Sequence, residues 1–278
     1  MNIQVLVFEK FLGALHGTGS IDIEDEDIVL FTDASDVLLN TNLQELESRY
    51  ISMERNNTVL VNGETVCFPS LANCYTNPPL YADPARPPSP FKYANSGCWL
   101  ARWHVAKRFI PIWADYIRHY STTLRFISVS KSNATDQGAL HMYAREARVG
   151  VGLARKHAPD PPQIQVDSES VIFQSTLNTA LNGPQWRMAR RGEVYVNPTS
   201  GSVHNTLTGT NPLLLHFNGV IGKAYVKTIG SYLSRLHVAR EGKSRNISER
   251  IDWYYEHYPE LRFCQEYFQN TLMQGMDK

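Results

Sequence analysis

The 278-residue chain lacks net charge, with 27 Lys plus Arg against 27 Asp plus Glu. With no surplus of either sign, no global field draws in a phosphate backbone or an anionic bilayer, which argues against a general nucleic-acid binder. No apolar run approaches the roughly 20 residues that span a bilayer, and no basic stretch with an apolar core opens the chain as a secretory leader. Cysteine is scarce: Cys67, Cys74, Cys98 and Cys264 are too few for a disulfide-built scaffold and have no paired C-x-x-C spacing for zinc. Cys67 and Cys74 either close a short loop or stand as two half-buried thiols. The N-x-S/T triplets at Asn56, Asn133 and Asn246 are glycan acceptors only in a secretory compartment. What the chain does have is apolar content, 42% before glycine is counted, enough for a sizeable core.

Val5, Phe8, Phe11, Leu12 and Leu15 recur at helical spacing and predict an opening helix ending near Gly17. Ile28-Val29-Leu30-Phe31 then reads as a strand buried on both faces, running into Thr32-Asp33-Ala34-Ser35-Asp36. Thr58 to Val61 predicts a second buried strand leading to Glu64 and the Cys67-Phe68-Pro69 turn. Six prolines between Asn77 and Pro90 predict an exposed loop. Order resumes over Phe91 to Trp113, with Asn95-Ser96-Gly97 read as a turn inside it, and Asp136-Gln137 precedes a helical pattern of Leu140, Met142, Tyr143 and Ala147. Gln163 to Asp167, Val171 to Gln174 and Pro212 to His216 predict further strands, the last ending in His216-Phe217-Asn218-Gly219. From residue 224 to 278 two apolar stripes, one from Tyr225 to Leu236 and one from Cys264 to Leu272, predict a helical extension on an α/β body.

In open α/β sheets ligands bind beyond the carboxyl ends of the strands. Two of the predicted strands end in possible metal ligands, Asp33 with Asp36 and His216. Two carboxylates three apart on a turn can face one divalent cation, and an added imidazole suits manganese or zinc better than magnesium or calcium. The bland alternatives are that the aspartates serve as turn or cap residues and that His216 is a satisfied structural histidine.

The ordered set IVLFTDASDVL (28–38), VLVNGETVCFP (59–69), FKYANSGCWLA (91–101), Thr135-Asp136-Gln137, Val166-Asp167 with Ile172-Phe173-Gln174, and LLHFNGVIGK (214–223) resembles the glycosyltransferase domain of procollagen-lysine hydroxylases, in order and approximate spacing. The resemblance covers about residues 5–225 and none of that family's iron-dependent hydroxylase domain. It implies a GT-A type fold, a mixed sheet flanked by helices, over 1–223, with 224–278 as the helical extension. It also implies a manganese ion between protein carboxylates and the diphosphate of a UDP-sugar, a hydroxyl acceptor such as hydroxylysine of a collagen-like protein, and a secretory-pathway setting. Asp33, Asp36 and His216 match the family's metal ligands, and Asn218, Gly219 and Lys223 its H-x-N-G…K diphosphate segment. Ser35 stands beside the nucleotide where the family usually has tyrosine, and Phe68 lines the acceptor cleft where it carries tryptophan. Asp136 matches one carboxylate of an acidic cluster near the sugar and acceptor, a base or electrostatic stabiliser, though an Asp before a helix is equally a favoured N-cap. The family's preceding acid is Thr135 here. Asn95 and Asp167 lie in matching segments, as substrate contacts or as side chains holding turns.

Only 32 residues precede Asp33, where the resembling family has the first GT-A strands that hold uracil and ribose, so the expectation is either a fragment or a protein that binds the nucleotide with less protein, with weak UDP-sugar affinity or no activity as a consequence. The main expectation is therefore a metal-dependent hexosyltransferase, and the alternative is an inactive binding or scaffold domain that keeps the fold. A phosphohydrolase with an aspartyl nucleophile fits poorly, because its two aspartates stand two apart rather than three.

Overall fold

The computed structural model describes residues 23–33, 36–68, 89–123, 135–176, 181–182, 194–197 and 202–218. The predicted opening helix, most of the proline-rich loop and the helical extension fall outside them.

The main sheet contains β1 (Ile28–Thr32), β3 (Thr58–Glu64), β4 (Tyr93–Arg102) and β5 (Gln163–Asp167), in the order β1-β4-β3-β5. β4 is antiparallel to both β1 and β3, whereas β3 and β5 are parallel. β1, β3 and β5 therefore run the same way, and their carboxyl ends share one edge, where Asp33, Glu64 and Asp167 stand. Every residue of β3 is buried, as the apolar run predicts for Thr58 to Val61, and the burial continues through the polar Asn62 and Glu64. β1 is only half-buried, because β4 is its one strand neighbour among the described residues.

Side chains alternate between two cores, as strand geometry requires. Val59, Val61, Trp99 and Ala101 face a core shared with α2 (Trp103–Thr123), α3 (Asp136–Val149) and α4 (Gly152–His157). Phe31 stacks on Trp99 at 5.4 Å, Trp99 meets Phe109 edge-on at 5.7 Å, and Phe109 stacks on Trp113 at 5.3 Å, a chain of rings joining β1, β4 and α2. Trp99, Phe109 and Trp113 are fully buried, and rings buried this completely stabilise the fold by about 2–3 kcal/mol each. On the other face Leu60, Cys98 and Leu100 pack with Leu46 and Tyr50 of α1 (Leu43–Met53) and with Phe173 and Leu214.

Those last two belong to a second sheet of β2 (Val37–Leu39), β10 (Leu214–His216) and β6 (Phe173–Ser175), with β10 between an antiparallel β2 and a parallel β6. A third sheet joins β7 (Leu181–Asn182), β8 (Val194–Val196) and β9 (Val203–Asn205). The architecture is thus α/β with mixed sheets, and no helix among the described residues is long and apolar enough to cross a membrane.

Two local readings change. Asn95-Ser96-Gly97 is not a turn: it lies within β4, whose register against β3 jumps from Val61↔Trp99 to Asn62↔Asn95. The turn-forming residues make a bulge, which leaves the strand continuous. The N-cap of α3 is Thr135, whose Oγ1 accepts from Gly138 N at 3.0 Å, so Asp136 is the first helical residue rather than the cap.

Candidate metal centre

Backbone pairing brings the three sequence-predicted ligands together from opposite ends of the chain. Asp33, just past β1, donates its N–H to Gly97 O in the β4 bulge at 2.7 Å. Asp36, just before β2, offers its carbonyl to Phe217 N at 2.7 Å, continuing the β2–β10 ladder. His216 ends β10, and its carbonyl accepts from Thr176 N at 3.0 Å. Each ligand is therefore fixed at the backbone before its side chain does anything.

The side chains converge. His216 Nε2 lies 3.4 Å from Asp33 Oδ2 and 3.8 Å from Asp36 Oδ2. One ligand atom from each residue falls within 4.8 Å of the others. Asp36 and His216 are buried at 1% and 2% exposure, whereas the Asp33 side chain keeps 26%, so the cluster opens on the Asp33 side. Neighbouring ligands around one small divalent ion lie about 3.0 Å apart in an octahedral shell and about 3.4 Å in a tetrahedral one. The observed spacing is slightly wide of that and within reach of a small side-chain movement. His216 Nε2 has no hydrogen-bond partner, unlike the nitrogen of a satisfied structural histidine. Two carboxylates and an imidazole whose Nε2 has no hydrogen-bond partner are a donor set that suits a Mn²⁺- or Zn²⁺-sized cation once that nitrogen presents its lone pair.

Position 97 makes room for this cluster. A Cβ there would stand 2.2 Å from His216 Cε1 and 2.7 Å from Asp33 Oδ2, so only glycine is accommodated. Cys98 follows it, fully buried, its thiol pushed well up by burial and then by the charges of Asp33 and Asp36. Cys67, the first residue of the C-F-P segment, is disulfide-bonded, to a partner outside the described residues.

Beside the cluster lies a buried polar network. The Glu64 carboxylate accepts from Asn95 Nδ2 at 3.1 Å, from Asn218 Nδ2 at 2.8 Å and from Gln137 Nε2. Asn218 Oδ1 accepts from Ser175 Oγ at 2.9 Å, and Asn95 Oδ1 accepts from Gly97 N at 2.8 Å. Burial pushes the Glu64 carboxyl up to about 8, against the pull of the three amide donors. The network ties β3, β4, α3 and the segment after β10 together, and through Gly97 it adjoins the ligand cluster.

The remaining predicted residues divide. Asn95 and Asn218 belong to this network. Asp136 is half-buried at the start of α3, one residue from Gln137, and Phe68 is 49% exposed. Asp167 holds a turn: its carboxylate accepts from the N–H groups of Val171, Ile172 and Phe173 at 2.8–2.9 Å. Ser35, Gly219 and Lys223 lie outside the described residues. Sequence reasoning missed Glu64, Asn62 and Gly97 as parts of the site. The signal for the first two was present in V-N-G-E, where polar residues two apart at the end of an apolar strand share one face.

No protein-family model matches this chain, and no curated protein matches it significantly.

Proposed function

We propose that the chain is a divalent-metal-dependent glycosyltransferase domain of GT-A type that moves a hexose from a UDP-sugar to a hydroxyl acceptor, with hydroxylysine of a collagen-like protein as the precedent set by the resembling family. The observation that carries the reading is the convergence of Asp33, Asp36 and His216, matched to one metal motif in the sequence, within 4.8 Å of one another. These three would hold the cation, whose chemistry when bound is to neutralise the charge that develops on the departing diphosphate.

The chain's own residues have separable tasks in this reading. The backbone bonds at Asp33, Asp36 and His216 keep the ligand set preorganised. Gly219 and Lys223 supply close backbone approach and a point charge to the diphosphate. The buried Glu64 carboxyl orients the carboxamides of Asn95, Gln137 and Asn218, a network that adjoins the ligand cluster through Gly97. Asp136 is the candidate base for the acceptor hydroxyl, and exposed Phe68 offers a stacking face.

The test is hydrolysis of, and transfer from, UDP-glucose and UDP-galactose with and without Mn²⁺. Turnover that needs the metal and falls at least about 100-fold in Asp36→Ala is expected. Turnover indifferent to both metal and Asp36 would overturn the proposal. The inactive-domain alternative draws on Thr135, which spends its side chain capping α3 where the resembling family has an acid. It is favoured if UDP and Mn²⁺ bind without turnover.

A further inference from the structure

His216 has a neighbour that the metal motif does not include. Asn62 on β3 is fully buried, and its Nδ2 lies 3.1 Å from His216 Nδ1, the ring nitrogen facing away from the aspartates. Its Oδ1 has no hydrogen-bond partner, and neither does His216 Nε2. A neutral imidazole carries one proton, so what Asn62 presents to Nδ1 determines what Nε2 can present to Asp33 and Asp36.

We infer that Asn62 is a positioning residue that sets the tautomer of His216, and that its carboxamide serves both the metal-free and the metal-loaded states. With Nδ2 toward the ring, as observed, Nδ1 accepts and the proton sits on Nε2, aimed at the two carboxylates. In that arrangement Nε2 points a proton toward Asp33 and Asp36, 3.4 and 3.8 Å away, and has no lone pair for a cation. Rotating the carboxamide by half a turn places Oδ1 against Nδ1, which then carries the proton and donates it, and the Nε2 lone pair faces the carboxylates. Metal-binding histidines are held in this way, by an acceptor on the far nitrogen. A carboxylate or a backbone carbonyl could support only the second arrangement and an ammonium only the first, whereas a carboxamide supports both. The unpartnered Oδ1 in a fully buried site is what such an alternation leaves behind.

The inference rests on the proposed metal site, and the experiment separates the two. Calorimetry with Mn²⁺ and Zn²⁺ would compare the full chain with Asp36→Ala, Asn62→Leu and Asn62→Asp, each checked for folding by thermal melting. Long-range ¹H–¹⁵N spectra of histidine-labelled protein, with and without diamagnetic Zn²⁺, would report which His216 nitrogen bears the proton. The expected result is a proton on Nε2 without metal and on Nδ1 with it. Affinity should fall about 10–100-fold in Asn62→Leu and be retained in Asn62→Asp, where a carboxylate still accepts from Nδ1–H. No binding by the unaltered chain, or binding unaffected by Asp36→Ala, overturns the metal reading and this inference with it. Binding that is lost in Asp36→Ala but unchanged in Asn62→Leu, or a loaded His216 without a proton on Nδ1, overturns only the role of Asn62.

Discussion

The absence of a side chain at position 97 is as much a part of the ligand cluster as the carboxylates are. His216 Cε1 would lie 2.2 Å from a Cβ there, a distance no real Cβ contact tolerates, and the ring cannot retreat because it is buried at 2% exposure with its backbone fixed in β10. Gly97→Ala should therefore displace the imidazole and loosen the bulge, costing about 1–3 kcal/mol of stability and about tenfold or more in divalent-metal affinity. Urea denaturation and calorimetric metal titration check the two effects separately, and a variant with unaltered metal affinity would show that the ring does not need its observed place. This residue was legible only in part. Asn95-Ser96-Gly97 reads as turn chemistry, and the physical reason for the glycine, a close approach from a strand more than 100 residues away, is not written in its neighbours. The ligands themselves were legible because they match a metal motif at strand ends, whereas Asn62 and Glu64, which also close an apolar run, carry only the weaker signal of polar residues two apart.

At the scale of elements, strands buried along their length announced themselves, and elements stabilised from outside did not. The apolar run from Thr58 to Val61 and the polar–apolar alternation of Gln163 to Asp167 mark β3 and β5 unaided. By contrast α1 buries only Leu46 and Tyr50 of its 11 residues, so its pattern is mostly that of a solvated face. β7, β8 and β9 run two or three residues each, too short for any periodicity to register. β6 was read two residues early because the turn before it is built by Asp167 rather than by its own sequence. That carboxylate, fully buried, accepts three successive backbone N–H groups and delivers the chain into β6, on which β10 and His216 pair. Asp167→Ala leaves two buried donors and one part-buried donor without an acceptor and should destabilise the protein by about 3–5 kcal/mol, with Asp167→Asn recovering part of the loss. Chemical denaturation measures both; a cost below about 1 kcal/mol for the alanine variant would mean the turn is held by its strands and not by the carboxylate.

On the scale of the whole molecule, the parallel run of β1, β3 and β5 gathers three carboxylates at one sheet edge and treats each differently. Asp33 stays partly open, Asp167 is consumed by backbone donors, and Glu64 is buried at 1% exposure among carboxamides drawn from β3's neighbours on three sides. Burial raises the Glu64 carboxyl from its ordinary 4.5 to about 8. The sign of its effect on stability is therefore opposite to that of a salt-bridged acid. Between pH 4.5 and 8 the folded protein holds a proton that the unfolded chain has released, so this contribution is complete below about 4.5 and is lost as pH rises to about 8. Within that window the loss is about 1.4 kcal/mol per pH unit, on the order of 5 kcal/mol in all. Glu64→Gln keeps the shape and removes the titration, so subtracting its pH–stability curve from that of the unaltered chain cancels the histidines common to both. In metal-free protein the difference should fall steadily from pH 5 to 8 and level off above it. Parallel curves would mean that the three amide donors outweigh burial, leaving Glu64 ionised throughout, and the network would then be one that holds a charge in place rather than one that gives it up.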